Sequence, residues 1–173
     1  MKAIVIAGAA ITLFATSAMA HKLSLDSAAE AIAYRQATFS LLAANFGDLA
    51  ARVQGKKPFD AAIVASRVNN VSALAQMPWE AFAVAGSDQG NSEALPAVWQ
   101  KAEQFDAARA QFLKAVAQLQ AAGGDQKALA AAVGAVGKSC KACHSDSNAV
   151  VIFVYQLDVI GRVTAITLIL AGF

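Results

Sequence analysis

Two thiols and an imidazole fall within one helical turn of each other at Cys140, Cys143 and His144, in the stretch VGKSCKACH that begins at Val136. On an α-helix, residues three and four apart lie on one face, so the three side chains project together. A Cys pair at this spacing with His directly after it is what covalent haem attachment uses. The thiols become thioethers on two haem vinyl groups, and the imidazole reaches the iron from one side. Two other chemistries compete for such a pair. A thioredoxin-like dithiol sits near a βαβ pattern, and the sequence has none. A structural zinc site takes four ligands, whereas the chain has 2 Cys and 2 His in all, with His21 far from the motif. The expectation is haem c, joined through Cys140 and Cys143 with His144 on the iron.

A low-spin electron carrier fills the opposite iron position with Met or a second His. Past the first twenty residues Met77 is the sole methionine. It stands beside Pro78 and reads as a gap-filler against Trp79 rather than a ligand. The inward position of the first helix expected near the haem is Phe39, which cannot ligate. Five-coordinate iron with an apolar distal side follows. Arg35, one turn before Phe39, interrupts an otherwise apolar stripe. An unpaired buried charge is costly, and a haem propionate is a carboxylate that Arg can grip bidentately. The alternative is that Arg35 reaches solvent at the edge of the bundle. Arg109 interrupts a later stripe in the same way, but nothing ties it to the haem end, so a surface or inter-helix pair is expected there.

The elements that must hold these residues are helical. Up to residue 144 the chain is rich in Ala, Leu, Gln, Lys and Glu, which favours helix. A first helix starts near Asp26 or Ser27 and runs to about Val53, with the stripe Ala28, Ile32, Arg35, Phe39, Leu42, Phe46, Leu49 and Val53. That is the inward seam of a helix bundle. Gly55 and Pro58 stop it. A second helix spans about Phe59 to Gln76, and a loop rich in Pro, Gly, Asn, Asp and Ser follows. The third begins near Pro96 and ends at GGD; Asp125 caps the fourth, whose stripe runs Leu129, Val133, Val136, Cys140, Cys143. The expected fold is all-α, an antiparallel four-helix bundle.

At the other end, Lys2 precedes the apolar run AIVIAGAAITLFA, and Ala18 and Ala20 suit a small-residue cleavage site. Residues 1–20 read as a signal peptide cut before His21, with an uncleaved anchor helix as the alternative. The formal net charge is +2, one unit of which is Lys2. A nearly neutral chain without a Lys/Arg cluster excludes a nucleic-acid footprint and a basic membrane-binding run. No Ser/His/Asp or paired-carboxylate arrangement points to a hydrolase or transferase. No distal His is available as the acid–base group of a peroxidase, so the chain is not expected to be an enzyme. Electron transfer and the binding of nitric oxide or carbon monoxide stay open as functions.

The sequence resembles cytochrome c′, the high-spin class II c-type cytochromes. The matching segments are YRQATF at 34–39, NFGDLA at 45–50, GKKPFDA at 55–61, MPWEAF at 77–82, LPAVW at 95–99 and VGKSCKACH at 136–144. They span nearly all of 21–144. The resemblance implies a left-twisted four-helix bundle in the bacterial periplasm. It further implies a homodimer through the first helix and His144 as the only protein ligand to haem iron. By position, Arg35 corresponds to the family's arginine near a propionate and Phe39 to its apolar residue over the distal face. The family carries a basic residue four positions after the ligand; here that position is Asn148.

The bundle domain is therefore expected to cover 21–148, with 149–173 a separate hydrophobic tail. Its sequence, VVIFVYQLDVIGRVTAITLILAGF from Val150, is long enough for a membrane span. Asp158 and Arg162 inside it would each cost about 2.5–3.5 kcal/mol near a bilayer centre. A C-terminal anchor, extra packing on the bundle or dimer, and a non-native ending are the three readings, and none gives the tail a part in iron ligation.

Overall fold

The structure, a computed structural model, describes residues 23–146, 153–157 and 163–167. The expected signal peptide, His21 and Asn148 lie outside them. Helix α1, Ala28–Val53, begins where Ser27 adopts extended backbone and its hydroxyl accepts from the Glu30 amide. Glu30 in turn accepts from the Asp26 amide at 2.9 Å, so side chains satisfy one orphan donor of the first turn and the amide just before the cap. The helix ends in a Schellman turn. The Lys56 amide donates to Ala51 and the Gly55 amide to Arg52, with Gly55 at φ 73°, where glycine carries no Cβ penalty.

Helix α2, Ala61–Leu74, is capped by Asp60, whose carboxylate accepts from Ile63. It is shorter at both ends than the sequence pattern indicates, and Phe59 is exposed. The loop that follows holds a short 3-10 helix, Pro78–Phe82, with proline in its first turn. The expected third helix is two pieces, α3 at Ala97–Gln100 and α4 at Ala102–Ala121. Lys101 breaks it at φ −120° and ψ 48°. Two residues earlier the Trp99 indole N–H is tied to the Phe82 carbonyl at 2.9 Å, so a tertiary anchor sets the direction of α3. Helix α5, Gln126–Asp146, starts at Asp125, which accepts from the Ala128 amide at 2.8 Å.

The four long helices close a bundle in which α1 packs on α2, α2 on α4, α4 on α5 and α5 on α1. Leu49, Val71, Val116, Leu119, Leu129 and Val136 are fully buried at its centre. Val116 and Leu119 stand three apart and Leu129 and Val136 seven apart, spacings that line one side of a helix and bury it against its neighbours. In the tail, strands β1, Phe153–Leu157, and β2, Val163–Thr167, pair antiparallel with Phe153 opposite Thr167. β-Branched residues favour this pairing. No helix among the described residues is long and apolar enough to cross a membrane.

Asp48 joins α1 to α2 at the end of the bundle opposite the haem motif. Its carboxylate accepts from Lys57 at 2.7 Å, Arg67 at 2.9 Å and Arg52 at 3.1 Å. These bonds, Lys57 first, hold its pKa well below the usual carboxylate range. A depressed folded pKa stabilises the fold above the unfolded value of about 4 and ceases to do so as pH falls through the folded one. Asp48→Asn is therefore expected to lower the melting temperature at neutral pH, with the gap to the unaltered protein closing below about pH 4. Thermal unfolding followed at both pH values checks this; a gap that did not change with pH would mean the ion cluster contributes nothing through its charge.

Candidate functional site

The haem motif is helical throughout, since α5 continues to Asp146. Leu129, Val133 and Val136 are buried along its inner face, and Cys140 extends that face to pack against the core cluster. Cys143 and His144 follow, half-buried, while Lys141 and Ala142 are exposed. Burial, with Cys143 beside it, pushes the Cys140 thiol up to about 11. Reactive redox dithiols have lowered thiol pKa values, so this environment, with no βαβ unit among the described residues, does not suit a thioredoxin-like pair.

What lies level with His144 follows from one contact. A methyl group built on Gly137 would lie 3.7 Å from the Phe46 ring, so these two positions of α5 and α1 face each other. In an antiparallel pair, two turns back along α1 and two turns on along α5 are equal distances of about 10.5 Å. Phe39 and His144 are those positions, seven residues from Phe46 and Gly137 respectively, and so lie at one level of the bundle. Phe39 is half-buried in an aromatic layer. Its ring meets Trp79 edge-on at 6.0 Å and Phe82 at 6.4 Å, and Trp79 in turn meets Phe105 and Phe112. Edge-to-face packing at these separations favours a rigid wall.

Arg35, one turn further along α1, is 3% exposed and does not reach solvent. Its guanidinium lies over Phe82 at 4.9 Å and Trp99 at 5.7 Å. Nη2 donates to the Ser87 carbonyl at 2.5 Å and to the Ser92 hydroxyl, while Nη1 is buried with no hydrogen-bond partner. Burial lowers the Arg35 pKa, and nearby Asp88 partly raises it again. Arg109 instead pairs with Asp106 at 3.2 Å and lies over Trp79, the surface pairing expected for it.

Residues 30–146 match the family model described as cytochrome c′. The chain belongs to the cytochrome c′ family. A cytochrome c′ of Rubrivivax gelatinosus is 48% identical over 118 residues, which are 66% of this chain and 91% of that protein. A crystal structure of cytochrome c′ from the same organism superposes with a TM-score of 0.68 at 46% identity, covering 70% of this chain and 97% of that one. Cytochrome c′ from Shewanella frigidimarina gives 0.67 at 46% identity, over 70% and 96% of the two chains. A variant of the Alcaligenes xylosoxidans protein complexed with nitric oxide gives 0.67 at 35% identity, over 73% and 100%.

Membership makes this a c-type haem protein built on a four-helix bundle. The residues present fit that group. Two thiols stand on successive turns beside an apolar and aromatic interior, and the buried Nη1 of Arg35 lacks the acceptor that a propionate carboxylate would be. Met77 is 42% exposed at the start of the 3-10 helix. Missing from the sequence reading were the aromatic layer as a unit and the loop serines around Arg35. The MPWEAF segment carried a signal for the first; a lone Ser in a polar loop carried none for the second.

Proposed function

We propose that the chain is an exported periplasmic electron carrier whose haem iron is five-coordinate and high-spin, with His144 its sole protein ligand. Cys140 and Cys143 hold the haem covalently, and Arg35 binds a propionate. The haem supplies an iron that changes oxidation state and takes small ligands. The chain's own residues do the rest: α5 fixes the His144 imidazole, and the Phe39 layer keeps water and protein donors off the opposite face. In the domain plan that goes with this reading, residues 1–20 are removed and 21–148 form the bundle. Two copies associate through α1, on which Leu41 is exposed.

The observation that carries the reading is Phe39 at the level of His144, where a low-spin carrier would need Met or His. The same placement favours a second function, the binding of nitric oxide or carbon monoxide at the open face, and structures of variants of one relative, the Alcaligenes xylosoxidans cytochrome c′, hold nitric oxide. An absorption spectrum of the purified protein tests both. A five-coordinate high-spin resting spectrum that changes on adding nitric oxide is expected. A six-coordinate low-spin resting spectrum would overturn the open-face reading, and an open face indifferent to nitric oxide would leave electron transfer alone.

A further inference from the structure

Two buried polar atoms without partners sit at the same place in the fold. One is Nη1 of Arg35; the other is the hydroxyl of Ser87, whose residue is fully buried. They are linked directly, because the Ser87 carbonyl accepts from the other arm of the same guanidinium. The loop is built to bring Ser87 there. Its amide donates to the Val84 carbonyl, and Gly86 turns the chain at φ 79° against Ala28 of α1. Ser92 and the Asn91 carbonyl tie the far side of the loop to Arg35 and Gln36. Buried polar atoms in native proteins are nearly always paired, so two orphaned donors on residues joined by a hydrogen bond describe a site for an acceptor.

From this, and resting on the haem reading above, we propose that the Ser87 hydroxyl is a second ligand to the propionate held by Arg35. The carboxylate then accepts from Nη1–H of Arg35 and Oγ–H of Ser87 together. The 86–92 loop becomes part of the haem site, with Ser92 a positioning residue that fixes the guanidinium. A carboxylate suits both donors, since an ionised oxygen strengthens the bonds it accepts. Ser72 provides a contrast within the molecule: its hydroxyl is also buried and unpartnered, but it belongs to α2 and not to the Arg35 loop.

A crystal structure of the haem-loaded protein is expected to place Ser87 Oγ within about 3.2 Å of a propionate oxygen. In resonance Raman spectra the propionate bending band of Ser87→Ala is expected several wavenumbers below that of the unaltered protein. Ser72→Ala should leave the band in place, and circular dichroism confirms that both variants fold. Ser87 bonded only to ordered water, or a band that Ser87→Ala does not move, would overturn the proposal while the haem reading stands. A matured chain without a Soret band would overturn both, and is recognised before any variant is made.

Discussion

With Cys140 and Cys143 both replaced by alanine, no haem is expected to remain on the chain after denaturation. Thioether bonds survive unfolding; ligation by His144 and apolar contacts do not, because both depend on the folded bundle. The two thiols stand on successive turns of α5, so either one alone can still carry a single covalent link. The double variant should therefore lose all haem staining on a denaturing gel and all haem mass by mass spectrometry, while each single variant keeps some of both. Haem still bound to the denatured double variant would place the attachment elsewhere and remove the motif from the site.

Phe39→Ala is expected to speed carbon monoxide association about tenfold, equivalent to about 1.4 kcal/mol off the entry barrier. The reason is steric. Phe39 lies at the level of His144 and is held by edge contacts to Trp79 and Phe82, so the ring cannot swing aside without disturbing its neighbours. The same truncation costs stability, toward the lower end of the roughly 3–5 kcal/mol seen for buried phenylalanines, because Phe39 is only partly buried. Flash photolysis of the carbon monoxide complex separates the two effects. Association rates unchanged in a folded variant would mean that Phe39 does not cover the iron.

The CKACH turn, the start and end of α1 and the start of α5 were legible in the chain because their physics is local. Cys140, Cys143 and His144 need only one turn of helix to converge. Ser27 and Asp125 each satisfy the amide three residues on, and Gly55 closes α1 through bonds within its own last turn. The buried stripes were equally legible, since the helical period puts Leu129, Val133 and Val136 on one face whatever they meet.

What the sequence by itself determined, then, is a four-helix bundle with Cys140, Cys143 and His144 on one turn near the end of α5. The tertiary structure decided what surrounds that turn. Whether Arg35 reached solvent or the interior depended on the loop that supplies the Ser87 carbonyl and the Ser92 hydroxyl from more than fifty residues away. The break at Lys101 depended on Trp99 finding the Phe82 carbonyl. The aromatic layer draws on α1, the 3-10 helix and α4 at once. Caps and stripes are set by neighbours a turn away along the chain, whereas a buried cation or a shared wall is set by partners that only the closed bundle brings within hydrogen-bond or van der Waals reach.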